Sequence, residues 1–267
     1  MDGWKRSVSI WEQRNVRIGS KMEETKVLLE FEHITKEFEK DSARFSVLED
    51  VSLSIEEGEF FVLLGRSGCG KTTLLRIAGG FLTPDSGEVR LLGKRVTQPG
   101  TSQMMVFQDF NQLFPWMTLK KNLTYAIKKA RPQLSQKERE EVAEKFLKAA
   151  GIAEFSNQYP ASLSGGMKQR GALARALALN PKVLLMDEPF SSLDYLSRQT
   201  ARETVLKMAQ ETGCTVLLVT HDIEEAAVLG DRIGILDTEN HRLSQIFTTA
   251  EFESKDALVD VLKKELL

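Results

Sequence analysis

Short stretches of this sequence combine residue types whose chemistry converges on phosphate. The segment Gly65-Arg66-Ser67-Gly68-Cys69-Gly70-Lys71-Thr72, followed by Thr73, has the spacing G-x-x-x-x-G-K-T. A polyphosphate needs several backbone N–H donors aimed at one point, so the chain must bend freely and approach closely. Gly65, Gly68 and Gly70 allow this. Lys71 adds a cation for the β- and γ-phosphates, and the Thr72 hydroxyl is a hard ligand suited to Mg²⁺. A second stretch, Val183-Leu184-Leu185-Met186-Asp187-Glu188, ends an apolar run in two carboxylates. Beside a phosphate loop, Asp187 would bind Mg²⁺ and Glu188 would polarise an attacking water as general base. A third stretch, Leu163-Ser164-Gly165-Gly166, opens a helical run with small residues. Alone it reads either as a second anion site or as a flexible helix entry.

These groups need elements to hold them. Glu59 to Leu64 reads as a buried strand running into the phosphate loop, and Lys71 to Ala78 as the helix that offers its positive end to the phosphates. Val27 to His33, Val51 to Ile55, Glu88 to Leu92 and Met104 to Gln108 are further strand candidates. From about 111 to 158 the character turns helical. Ser135-Gln136-Lys137-Glu138 has the form of a capping box, and the helix it opens carries Val142, Phe146, Leu147 and Ala150 on one side and stops at Gly151. A helix rich in alanine and leucine follows Ser164 and runs to Asn180-Pro181. Lys182 to Met186 and Thr215 to Thr220 are strand-length apolar runs, and the helix between them spans Tyr195 to Gly213. Alternating buried strands and helices imply an α/β fold with a mainly parallel sheet covered on both sides, interrupted by a helical lobe at about 111–180.

The chain has 267 residues, enough for one large domain or one domain with an inserted lobe. A net charge of −2 gives no global field towards nucleic acid or an acidic membrane, so no nucleic-acid partner is expected. Cys69 and Cys214 lack metal or redox spacing and fit a reducing compartment. Cys69 reads as a small space-filler whose thiol pKa the helix N-terminus would lower, so that its alkylation would block nucleotide binding. The longest apolar runs are strand-sized, so any membrane span must come from another subunit. Residues 1–25 contain Trp4 and Trp11 and read as a poorly ordered extension, with an amphipathic arm or a leader preceding Met22 as alternatives.

With these motifs in place, the segment Leu163-Ser164-Gly165-Gly166-Met167-Lys168-Gln169-Arg170 resembles the signature motif of ABC ATPases, usually LSGGQ, with Met167 replacing glutamine. Gln108 resembles the glutamine of the Q-loop, Ser191-Ser192-Leu193-Asp194 the D-loop, and His221 the switch histidine. Phe38 sits where the family stacks an aromatic on adenine, with Phe45 as a weaker competitor. The resemblance spans about 27–236. It implies a P-loop NTPase of the ABC type, residues 26–240, with an antiparallel β subdomain. Residues 241–267 form a C-terminal extension with a short strand at most and a helix around Lys255 to Leu266, too short for a β-rich regulatory domain. It further implies ATP and Mg²⁺ as ligands, with Thr72, Gln108 and Asp187 as metal contacts and Glu188, Gln108 and His221 as catalytic residues. ATP would lie between Gly65–Thr72 of one subunit and Ser164, Gly165 and Gly166 of a second copy, with Asp194 acting across the dimer.

The stretch Leu113-Phe114-Pro115-Trp116-Met117-Thr118-Leu119, followed by Asn122, and the run from His221 to Ala226 are similar to the nitrate, sulfonate and taurine importer ATPases. That resemblance implies transmembrane permease subunits, an indirect solute-binding protein and a place at the cytoplasmic face of the cell membrane. An exporter ATPase, a soluble ABC ATPase and a non-hydrolysing scaffold are the alternatives; intact Glu188 and His221 oppose the last.

Overall fold

A computed structural model describes residues 26–40, 43–109 and 111–266; the expected extension at 1–25 lies outside the described residues. In chain order the elements are β1 (Val27–Lys40), β2 (Ala43–Glu56), β3 (Phe60–Leu64), α1 (Lys71–Ala78), β4 (Ser86–Leu91), β5 (Lys94–Arg95), β6 (Gln103–Val106), α2 (Leu119–Ala130), α3 (Gln136–Ala149), α4 (Gly165–Leu177), β7 (Val183–Asp187), α5 (Tyr195–Thr212), β8 (Thr215–Thr220), α6 (Ile223–Leu229), β9 (Arg232–Leu236), β10 (Leu243–Thr248) and α7 (Lys255–Glu265). They fall into two compact units, Met1–Pro99 with Thr215–Leu267, and Gly100–Cys214.

In the first unit β3 and β8 bury every residue, as continuous apolar runs do when both faces of a sheet are covered. β3 pairs in parallel with β8 and with β9, and β10 closes antiparallel on β9. Helix α1 packs on β8 and α6 on β3, while α7 covers α6. A separate antiparallel sheet has the order β2-β1-β4-β5. Its first two strands are longer than the sequence suggests, because the polar outer ends of the hairpin pair on through Phe38 and Phe45.

In the second unit β6 and β7 pair in parallel, and α2, α3, α4 and α5 pack in succession. The capping box opening α3 is formed in full, with the Ser135 hydroxyl accepting from Glu138 N and the Glu138 carboxylate accepting from Ser135 N. Of its expected apolar side, Leu147 and Ala150 are buried together with Ala143, whereas Val142 and Phe146 are half-buried. Asn122, fully buried, organises the turn before α2. Its Oδ1 accepts from Phe114 N at 2.7 Å, and its Nδ2 donates to the carbonyls of Phe114, Met117 and Thr118 at 3.1 Å each. The turn leaves Trp116 69% exposed against Phe114.

Candidate functional site

The loop after β3 is shaped by contacts that exclude side chains. A Cβ on Gly65 would lie 2.7 Å from both the Cys69 sulfur and the Leu236 carbonyl oxygen. Gly70 has φ +106°, and a Cβ there would come within 2.5 Å of the Val47 carbonyl. Arg66, Ser67 and Gly68 are exposed, whereas Lys71 is 5% exposed. Its Nζ donates to the carbonyls of Gly65 at 2.7 Å and Arg66 at 2.9 Å, which folds the ammonium across the loop. Thr72 and Thr73 follow in the first turn of α1, half-buried. Among the described α-helices, α1 alone begins without a side-chain cap; the other six are capped by Thr118, Ser135, Ser164, Asp194, Asp222 or Ser254. Its first-turn amides therefore meet no capping side chain at Gly70, as an anion-binding helix end requires.

The parallel register pairs Leu64 with Thr220, so Gly65 and His221 leave neighbouring strands at the same level. His221 is exposed between β8 and the capped start of α6. The β1–β2 hairpin runs against the loop through Val47. Two residues earlier on β2, Phe45 pairs across the strands with Phe38, their ring centroids 6.2 Å apart. Phe38 is 38% and Phe45 46% exposed, and Lys36 Nζ lies 5.6 Å from the Phe38 centroid.

In the second unit β7 delivers Asp187, 6% exposed, as its last residue. Glu188 follows with φ +42°, a left-handed conformation that a glutamate adopts at a cost of about 1–3 kcal/mol. The Ser191 hydroxyl donates to the Glu188 carbonyl at 3.0 Å and accepts from Gln108 Nε2 at 3.4 Å. Gln108 does not end a strand as expected. β6 stops at Val106 because the Gln112 side chain takes over the next amide, accepting from Phe107 N at 3.0 Å and donating to Phe107 O at 2.9 Å.

Ser164 and Asp194 are both helix caps. Ser164 Oγ accepts from Met167 N at 3.3 Å, and Asp194 Oδ1 accepts from Ser197 N at 3.0 Å. Hydrogen bonds from Ser197 hold the Asp194 carboxyl below the usual carboxylate range. The two helix starts meet where a Cβ on Gly166 would lie 3.0 Å from Ser197 Cβ, whereas Gly165 has room.

Cys69 corrects the sequence reading. Its thiol is fully buried, and burial pushes its pKa up despite the neighbouring Lys71. It fills space and is not activated. Residues missed in the sequence include Gln112, Thr220 and Glu225. The pattern Asp222-x-x-Glu225 has capping-box spacing and was the available signal for the last. The donor types at Thr72, Gln108 and Asp187 are oxygens, which suit Mg²⁺. Among the described residues no group of three or more His, Cys, Asp or Glu is placed to hold a metal.

Comparison with known proteins gives the family of the chain. The sequence profile described as "ABC transporter" matches residues 48–191. The chain is 43% identical over 205 residues to the nitrate import ATP-binding protein NrtD of Synechococcus elongatus, covering 77% of this chain and 74% of that one. It is 43% identical over 202 residues to the bicarbonate transport ATP-binding protein CmpD of the same species, covering 76% and 72%. A solved dimeric structure of the ATP-binding cassette MJ0796, in a post-hydrolysis state bound to ADP and Pi, is similar with a TM-score of 0.72 and 33% identity over 83% of this chain and 99% of that one. With a phosphate loop opening an uncapped helix, two carboxylates ending a buried strand and a serine-capped glycine pair, the chain belongs to the ABC transporter family, as one of its ATP-hydrolysing subunits.

Proposed function

We propose that this chain binds ATP on Gly65–Thr72 and hydrolyses it to drive import of a small oxyanion through a membrane permease. The observation that carries the ATP assignment is the loop itself, with no room for a Cβ on Gly65, Lys71 folded across its carbonyls and α1 left without a side-chain cap. Backbone amides from Arg66 to Thr73 would bind the phosphates, Lys71 the β- and γ-phosphates, and Phe38 the adenine. Mg²⁺, held by Thr72, Gln108 and Asp187 directly or through water, would neutralise developing charge on the phosphates. Glu188 would accept a proton from the attacking water, and His221 would hold the γ-phosphate. Ser164, Gly165, Gly166 and Asp194 would act on the nucleotide of a second copy.

No described helix is long and apolar enough to cross a membrane. Permease subunits would supply the span, placing this chain at the cytoplasmic face, with a solute-binding protein as an indirect partner. Exposed Trp116 suits the permease contact. The names of the relatives, nitrate import and bicarbonate transport, support an oxyanion as the solute.

Lys71→Ala should weaken ATP binding by about 10- to 100-fold, the worth of charge-assisted hydrogen bonds. A titration with fluorescent ATP analogue checks this, and unchanged affinity removes Lys71 from the site. Reconstitution with the permease should show ATPase stimulation by nitrate or bicarbonate. Stimulation by uncharged solutes alone would overturn the oxyanion assignment and leave the ATPase assignment standing.

A further inference from the structure

Strand β8 and helix α6 meet at His221, and the residues on either side of it close a ring of hydrogen bonds. Thr220 Oγ1 donates to Glu225 Oε2 at 2.7 Å, Asp222 N donates to Thr220 Oγ1 at 3.0 Å, and Glu225 N donates to Asp222 Oδ1 at 3.0 Å. Thr220 and Glu225 are each 2% exposed. A hydroxyl has one proton. With that proton donated to Glu225, the oxygen still has lone pairs for Asp222 N, so the hydroxyl serves the carboxylate and the backbone at once.

Capping α6 does not require this carboxylate. Asp194 caps α5 in the same manner, and there the third helical residue is Ser197. In a capping box the glutamate would return to the backbone N–H of its own cap; at α6 the Glu225 carboxylate instead accepts a hydrogen bond from the Thr220 hydroxyl. Burying a carboxylate is costly unless its hydrogen bonds are made, and here they tie the end of β8 to the first turn of α6. The register Leu64–Thr220 carries that tie to the strand that leads into the phosphate loop.

We propose that Glu225 is a positioning residue for His221, fixing through Thr220 and Asp222 the peptide units before and after it, and so the direction in which the imidazole projects. The proposal rests on the reading of His221 as a residue that acts on ATP.

The test uses the full chain with ¹⁵N-labelled histidines. There are only three, His33, His221 and His241, so the His221 imidazole signals are assigned by comparison with His221→Ala. In Glu225→Ala and in Thr220→Val the His221 signals should move or broaden while those of His33 and His241 stay. ATPase kcat should fall about 10- to 100-fold, the effect of a misplaced group, with KM for ATP unchanged. Glu225→Gln, whose amide oxygen still accepts from Thr220, should recover most of the rate. The double variant Glu225→Ala/His221→Ala should be no slower than His221→Ala alone. Unmoved His221 signals, or losses that multiply in the double variant, would overturn the proposal. Full kcat in His221→Ala would instead overturn the role of His221, and the imidazole signals would then decide whether Glu225 positions it. Thr220→Val, close in shape, carries the same comparisons if Glu225→Ala fails to fold.

Discussion

The Cys69 sulfur is enclosed by the backbone at Gly65 and by the Lys71 side chain, whose Nζ lies 3.8 Å away. Burial opposes the thiolate more strongly than Lys71 favours it. Cys214 is likewise buried, its thiol pushed up to about 12. Neither thiol of the native chain should therefore react with Ellman's reagent near pH 7.5, ATP binding should survive the treatment, and both should react once urea unfolds the chain. Rapid native labelling of Cys69 with loss of ATP binding would restore the opposite reading. The position was legible in the sequence, but the burial was not, because nothing local shows that the loop folds over its own third glycine-flanked residue. Glu59, 6% exposed, is a second buried titratable group. Burial raises its pKa to about 7, although its carboxylate accepts from Glu56 N at 2.7 Å and from Arg232 Nη1 at 3.3 Å. Below the unfolded value of 4.5 Glu59 is protonated in both states, and its contribution to stability is complete. As pH rises towards 7 the unfolded chain releases the proton first, so up to about 3 kcal/mol is lost through that window. Urea midpoints should fall between pH 4.5 and 7 in the wild type and fall less in Glu59→Gln. Equal pH slopes in the two proteins would exclude Glu59 as the source.

Helices α4 and α5 start side by side, and Gly166 is the residue that permits it. Adding a methyl group there would push against Ser197 Cβ from 3.0 Å, a contact on the backbone-proximal part of both helices that rotamer changes do not relieve. Gly166→Ala should cost about 1–3 kcal/mol, the usual range for overpacking, read as a lowered thermal midpoint. Removing the opposing Cβ in Gly166→Ala/Ser197→Gly should return part of that loss; a double variant less stable than the sum of the two single changes would mean that the clash lies elsewhere. The helices were legible because their caps and apolar faces agree, as at Ser135 and Ser164. The last stretch of the first unit was harder to read. Helix α6 has seven residues, too few for a periodic signal. Strand β9 carries Gly234, which weakens a strand pattern. The structure explains that glycine, since a Cβ would lie 2.9 Å from the Phe61 ring on the neighbouring strand.

At the scale of the whole molecule, the chain leaves its first unit at Pro99, builds a second from Gly100 to Cys214 and returns at Thr215. From its change of character the sequence suggests a helical lobe only at about 111–180; the second unit is wider and takes in β6, β7 and α5 as well. The sequence could not separate two uses of Ser164, Gly166 and Asp194, because each already has a local task as cap or close contact. Their proposed action on a second copy's nucleotide follows from the family, whose similar cassette is a dimer, and it calls for a variant that keeps the local task and changes only the outward chemistry. Glu188→Gln should lower turnover by about 10²- to 10⁴-fold, the range for a lost general base, while ATP still binds. Light scattering after size exclusion with ATP should then give twice the mass of one chain. Ser164→Asp in that background is the discriminating change. Aspartate caps helices as well as serine does, so α4 should start normally and ATP should bind as before. Its negative charge would face the γ-phosphate of the partner's nucleotide, and like charges brought that close cost several kcal/mol. The double variant should therefore bind ATP and remain at the mass of a single chain. If it dimerises as readily as Glu188→Gln alone, Ser164 does not face a partner's nucleotide, and its hydroxyl is a helix cap and no more.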